Sequence, residues 1–262
     1  MNRYWSIFTK PWKTLSPEKL GELVSELGFN AVEFPLRPGF QVEPQNAERD
    51  LPRLNETLKQ YGIRITSVAS GTTENIFAAC QAADIKLIRI MVGAQPELGF
   101  IKSMDAQRRS LDNLLPLCEK YGVTVGIQHH YGFGIFNTME MRYLLNDYDP
   151  KYIGAVWDAA HSALAGELPE QAIDIIWDKL VLVNLKMAYY KRANGPEAEQ
   201  AKFVPYFTTA RQGAASWQDA ADALNKRNYA GNICLPAEYT DEENVCKYVA
   251  EDLKYAKKLF DQ

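Results

Sequence analysis

One module recurs along this chain: an amphipathic helix, a glycine, a short β-rich run, then a polar loop. The clearest copies read SELGFNAVEF, KQYGIRITSV, EKYGVTVGIQ and RNYAGNICLP. Gly28, Gly62, Gly122 and Gly231 stand where a helix needs a left-handed residue to end it. The first helix also carries a start signal, with Ser16 as N-cap and Pro17 in the first turn. Leu20, Leu23, Val24 and Leu27 follow on one face. Counting modules predicts strands near residues 6–9, 31–34, 65–69, 87–91, 123–128, 154–158, 180–186 and 232–238. A helix-period segment follows each, the last over 242–260. Eight β–α units in a chain of this length indicate an α/β fold, a (β/α)8 TIM barrel. No G-x-G-x-x-G follows the first strand, which argues against an open doubly wound sheet. No linker or composition break divides residues 1–262, which are read as a single domain.

Composition narrows the function classes. The net charge of −4 and the lack of a basic run argue against nucleic acid or an anionic membrane as partner. Three histidines are too few for a site that holds several zinc ions through imidazoles. Cys80, Cys118, Cys234 and Cys246 form no C-x-x-C pair and read as thiols of a reducing compartment. Residues 1–10 hold no continuous apolar stretch, and no window approaches a bilayer span. The expectation is a cytoplasmic protein, with homo-oligomerisation left open.

Strand alternation separates residues facing the helices from those facing the barrel axis. In the fifth strand Val123, Val125 and Ile127 point outward, leaving Gly126, Gln128 and His130 inward. In the seventh, Val181, Val183 and Leu185 point outward, leaving Asn184 and Lys186 inward. The same reading turns Glu33, Arg89 and Glu238 inward, and Asp158 ends the sixth strand three residues before His161. Gln128, Asp158, Asn184 and Glu238 therefore close four consecutive strands, at the end where barrel active sites lie. Carboxylates converging there need positive charge. A divalent metal can supply it, and an all-oxygen donor set favours Mg²⁺ or Mn²⁺. Lys186, Arg89 or Arg37 can supply it instead.

Around this point the chain resembles the xylose isomerase-like TIM barrel family of sugar isomerases and epimerases. The resemblance rests on FTKPWKTLSPEKLGELVSELGFNAVEF, GVTVGIQHH, AVWDAAHSALAGELPE, LVLVNLKMA and LPAEYT. It implies one divalent metal held by Glu, Asp, His and Glu, with the two Glu as acid and base. Asp158 and Glu238 match the ligand Asp and the second Glu. His161 and Lys186 match the polar residues beside the metal. Gln128 stands where the resemblance calls for Glu, and Asn184 where it calls for His. An amide oxygen can bind a hard cation, but an amide cannot shuttle a proton.

The leading expectation is an isomerase or epimerase of a small ketose- or aldose-like carbohydrate. Glu238 would take a proton next to the carbonyl, and a divalent cation or Lys186 would hold the enediolate. His130 or His161 would make the second transfer. A lyase or dehydratase on a keto-sugar or keto-inositol and a sugar-binding barrel without catalysis are the alternatives. Lys10, Glu33, Arg37 and Arg89 are candidate substrate contacts, and His129 reads as structural. Residues 187–216 show no clear periodicity and read as a lid. Within it Tyr189, Arg192 and Arg211 bind a phosphate or carboxylate, or order the lid itself. Trp12, Trp157 and Phe136 read as packing or stacking groups.

Overall fold

A computed structural model of the protein describes residues 3–132 and 134–260. Among the described residues ten strands run in chain order: β1 Trp5–Phe8, β2 Ala31–Pro35, β3 Arg64–Ala69, β4 Leu87–Ile90, β5 Thr124–Gln128, β6 Ile153–Asp158, β7 Leu180–Asn184, β8 Met187–Arg192, β9 Phe203–Thr208 and β10 Ile233–Leu235. The helices are α1 Pro17–Glu26, α2 Ala47–Lys59, α3 Glu74–Ala82, α4 Phe100–Asp112, α5 Leu115–Tyr121, α6 Thr138–Leu145, α7 Ala159–Leu164, α8 Pro169–Ile176, α9 Trp217–Lys226 and α10 Val245–Phe260. Strands β1 to β7 and β10 close a parallel barrel, with β10 between β7 and β1. The eight expected strands are these, each within a few residues of its predicted bounds.

Local signals explain the elements. Ser16 Oγ accepts from the Lys19 amide and starts α1, with Pro17 behind it. Gly28, Gly62 and Gly122 adopt φ of +85°, +74° and +63°, as helix ends require. Gly231 does not. After α9 the left-handed residue is Asn228, φ +55°, because the helix ends earlier than the glycine suggests.

Two apolar layers result. The larger lies between strands and helices and includes Ile7, Val32, Phe34, Val125, Ile127, Trp157 and Val183. The smaller fills the barrel floor with Phe8, Ala69, Leu87, Val156, Leu182 and Cys234. Gly126 makes that floor possible, since a Cβ there would stand 2.7 Å from Val156. Val181, expected outward, packs against the floor. The β6–β7 register shifts at this point, pairing Ala155 with Leu180 and Val156 with Leu182.

The stretch after β7 departs from expectation. Residues 187–216 are not structureless: β8 and β9 pair as an antiparallel hairpin. Its base is pinned by Phe207, whose amide donates to Thr240 Oγ1, and by the Ala210 amide, which donates to Asp252 Oδ1. Among the described residues no helix is long and apolar enough to cross a membrane.

Candidate active site

Above the apolar floor the lumen turns polar, one strand at a time. Glu33 from β2 is fully buried and accepts from Arg89 Nε of β4 at 2.8 Å and from Ser67 Oγ of β3 at 3.3 Å. Arg89 continues the chain, donating to Gln128 Oε1 of β5 at 2.6 Å. Gln128 Nε2 then donates to Asp158 Oδ2 of β6 at 2.9 Å. Asp158 Oδ1 turns away to cap α7, accepting from the Ala160 and His161 amides. Burial works against the Arg89 charge, but Glu33 outweighs it and keeps the guanidinium protonated.

A second group stands at the mouth. Ala237, just past β10, adopts φ +53° without being glycine, and the next residue, Glu238, enters the site. Glu238 Oε1 accepts from Lys10 Nζ and Oε2 from Lys186 Nζ, both at 2.6 Å. Burial raises the Glu238 carboxyl, but Lys186 and Lys10 together outweigh it and hold the group at about 2. Lys186 Nζ also lies 4.1 Å from the centroid of the Phe207 ring.

The histidines divide between roles. His129 is buried, with Nδ1 on the Phe136 carbonyl and Nε2 accepting from the Asp158 amide, so it is structural. His130 Nδ1 lies 2.8 Å from the Tyr131 carbonyl and must donate there. In the neutral ring, Nε2 is therefore left with its lone pair. Burial, then the Lys186 charge, push His161 well below the usual imidazole range, so it is neutral. Its Nδ1 is the acceptor for the Tyr131 amide, at 3.5 Å, which puts the proton on Nε2. That Nε2 is buried and makes no hydrogen bond among the described residues, with Asp158 Oδ2 4.0 Å away, and Asn184 Oδ1 makes none either.

Two connected spaces open onto these groups. An outer groove of about 1090 Å³ is lined by Trp12, Tyr131, Lys186, Phe207 and Tyr239, among others. An inner chamber of about 110 Å³ is lined by Phe8, Arg37, Arg89, Gln128, His161 and Asn184, among others. Lys10, His130 and Glu238 line both, so a ligand at their junction faces Lys186 in the groove and Arg37, Arg89, His161 and Asn184 in the chamber.

The structure thus brings together Lys10, Glu33, Arg37, Arg89, Gln128, His130, Asp158, His161, Asn184, Lys186 and Glu238. Two expected contacts lie elsewhere. Arg192 is exposed and donates to the carbonyl of Gly195 in its own hairpin turn. Arg211 stacks at 5.3 Å on Tyr255, outside both spaces. Trp157 is fully buried on the helix side of β6, and Phe136 packs beneath the hairpin with Ala160 and Ala188. Sequence reasoning missed Tyr131 and Phe207, which wall the groove from loop and hairpin positions where strand alternation says nothing.

Residues 22–259 match the family described as the xylose isomerase-like TIM barrel. The chain belongs to that family. Among curated relatives, the inosose dehydratase of Lactiplantibacillus plantarum is 28% identical over 142 residues, covering 52% of this chain and 47% of the relative. The chain spans about half the length of the curated relatives it matches. An L-ribulose 3-epimerase superposes with a TM-score of 0.77 at 14% identity, covering 100% of this chain and 95% of that one. The IOLI protein, whose crystal structure holds a zinc atom, superposes with a TM-score of 0.70 at 15% identity, covering 98% and 96%.

Family membership raises the question of a metal, and the donors decide it. A divalent ion here needs Gln128, Asp158, Asn184 and Glu238 to turn free oxygens to one point. Gln128 Oε1 accepts from Arg89, Asp158 Oδ1 from helix amides and Oδ2 from Gln128, and both Glu238 oxygens from lysines, so that of the four side chains Asn184 alone has an oxygen without a partner. Two ammonium groups and a guanidinium within this set repel a dication. The described residues contain no group of three or more His, Cys, Asp or Glu placed to share an ion. The expected Mg²⁺ or Mn²⁺ site therefore does not fit this arrangement. The chain's own cations neutralise Glu33 and Glu238, and amide donors hold Asp158.

Proposed function

We propose that this protein removes a proton next to the carbonyl of a small keto-sugar or keto-polyol, and that it is an isomerase of such a carbohydrate. One observation carries the reading: an imidazole nitrogen with its lone pair free, His130 Nε2, lines the same groove as Lys186 and Lys10. His130 takes the proton, and Lys186 stabilises the negative charge that develops on the carbonyl oxygen. The buried donor His161 Nε2–H and the buried acceptor Asn184 Oδ1 complement the hydroxyls of a polyol. Glu238 holds the two lysines in place. Held at about 2, it is too weak a base for a carbon-bound proton while both contacts stand. No step requires a metal.

One base on one face suits a proton shift between adjacent carbons: His130 returns the proton it took to the neighbouring, former carbonyl carbon, while the hydroxyl proton of the carbon that lost it passes to the former carbonyl oxygen beside Lys186. Epimerisation through the opposite face would need a second shuttle, and Gln128 is an amide bound at both ends. Dehydration is the second reading, favoured by the same single base and by the inosose dehydratases among the relatives. In that case the proton leaves with a β-hydroxyl as water.

Incubation with a panel of ketoses and keto-inositols in D2O tests the reading. Deuterium at the carbon next to the carbonyl, lost in His130→Asn and Lys186→Met, is the expected result. An enol-derived product without returned deuterium selects dehydration. Absence of exchange with every compound would overturn the enzymatic reading in favour of a sugar-binding barrel.

A further inference from the structure

The inner chamber has a surplus cation. Three carboxylates face the lumen and its mouth, Glu33, Asp158 and Glu238, against four cations, Arg89, Lys186, Lys10 and Arg37. Arg89 is paired with Glu33 and both lysines share Glu238, while Asp158 is held by Gln128 and helix amides. Arg37, on the loop after β2, lines the chamber half-buried. Among the described residues its guanidinium makes no ion pair and no hydrogen bond, only a contact at 5.7 Å with the Phe8 ring. Arg89 lies over the same ring at 4.9 Å, so Phe8 has one matched and one unmatched guanidinium. Burial, and then the Arg89 charge, act against the Arg37 charge, and the more distant Glu33 and Glu238 offset them only in part.

Two further open valences belong to the same chamber. His161 Nε2–H is a buried donor without a hydrogen bond, its nearest carboxylate oxygen, Asp158 Oδ2, standing 4.0 Å away, and Asn184 Oδ1 is a buried acceptor without a donor. A hydroxylated carbonyl compound satisfies both, but it leaves Arg37 unmatched. A guanidinium fork is built for a planar or tetrahedral oxyanion.

We propose that the ligand is an acidic keto-polyol whose terminal oxyanion, a carboxylate or a phosphate, is received by Arg37. This deepens the keto-polyol reading and rests on it for the ligand's carbonyl and hydroxyls. The anion-binding role of Arg37 does not depend on turnover. Arg37 is then the residue that selects acidic over neutral sugars, while Lys186 and His130 act at the other end of the molecule.

Binding of D-gluconate, D-glucitol 6-phosphate and neutral D-glucitol, measured by calorimetry at low ionic strength, tests this on the intact chain. The wild-type protein is expected to bind at least one acidic probe tenfold or more tightly than glucitol. Arg37→Met should reduce that preference to within threefold, and Arg37→Lys should restore part of it. Preference for gluconate identifies a carboxylate, and preference for glucitol 6-phosphate identifies a phosphate. In crystals soaked with selenate, an anomalous peak should lie within hydrogen-bond distance of the guanidinium. Equal binding of all three probes, a preference that survives Arg37→Met, or no binding with no selenate at Arg37 each overturns the proposal. Deuterium wash-in is read separately: anion preference without exchange would sink the enzymatic reading and leave Arg37 as an anion site.

Discussion

Two polar regions lie one above the other in this barrel, and they are built on opposite rules. In the lower one, Glu33, Arg89, Gln128 and Asp158 form a continuous chain across neighbouring strands, each bonded to the next and almost wholly buried. At the mouth, Lys10, Glu238 and Lys186 are bonded to one another, but Arg37, His130 Nε2, His161 Nε2 and Asn184 Oδ1 have open valences turned to the cavities. The lower chain is a plug that seals the apolar floor. Glu33 Oε2 in the plug also lacks a partner, but Glu33 is fully buried and lines neither cavity, so the open valences at the mouth are the ones a ligand can reach.

The largest effect tests the mouth. His130→Asn and Lys186→Met should each lower the rate of deuterium exchange by 10²-fold or more, the usual range for a lost proton acceptor or charge stabiliser. Urea unfolding of His130→Asn should move by less than about 1 kcal/mol, since no core contact is lost. If that variant unfolds as easily as a plug variant, the division between the regions fails.

The plug makes the reverse demand. Arg89→Met leaves Glu33 buried opposite an apolar side chain and strips Gln128 Oε1 of its donor. Breaking a buried pair in this way costs about 3–5 kcal/mol, which urea unfolding will read directly. Adding Glu33→Gln should recover part of the loss, because the stranded charge is gone. A cost below about 1 kcal/mol for Arg89→Met would mean that water already reaches the plug.

How much of this was legible in the sequence follows from the same division. The plug residues were readable because barrel alternation is local: once Val32 and Phe34 face out, Glu33 faces in, and likewise for Arg89 and Gln128. Asn184 and Lys186 followed the same rule, although Val181 on that strand did not, because a register shift is a matter of pairing between strands. The β8–β9 hairpin was not legible. Most of its residues are half-buried or exposed, so no burial pattern marks its strands. The metal expected at Gln128, Asp158, Asn184 and Glu238 shows a different limit. Residue types identify who converges, but hydrogen-bond direction decides whether their oxygens remain free.

A third carboxylate, Asp252 of α10, sharpens the contrast because its shift is opposite to that of Glu238. Burial pushes it up to about 6, only partly offset by the Ala210 amide and the Tyr239 hydroxyl, with no cation bonded to it. The fold therefore favours its protonated form, and its contribution to stability declines as pH rises from about 4 through about 6. Asp252→Asn should be more stable than wild type above pH 7, by at most roughly 3 kcal/mol for a shift of this size. The two should converge below pH 4. Equal stability at pH 8 would show that Asp252 is better solvated than its burial implies.

The smallest effect concerns how the mouth is held open. Ala237 carries its left-handed backbone directly before Glu238, and such a conformation costs a non-glycine residue about 1–2 kcal/mol. Glycine removes that strain, but it gives up a buried methyl, worth about 0.8 kcal/mol, and adds freedom to the unfolded chain. Ala237→Gly should therefore lie within about 1 kcal/mol of wild type in urea. Ala237→Val has no such offset: its branched side chain cannot sit comfortably at positive φ, and relaxing the backbone would swing Glu238 away from Lys10 and Lys186. The valine variant should lose stability and activity together, whereas the glycine variant keeps both. If valine is tolerated and glycine is not, the turn at Ala237 is ordinary extended backbone and Glu238 is positioned by its lysines alone.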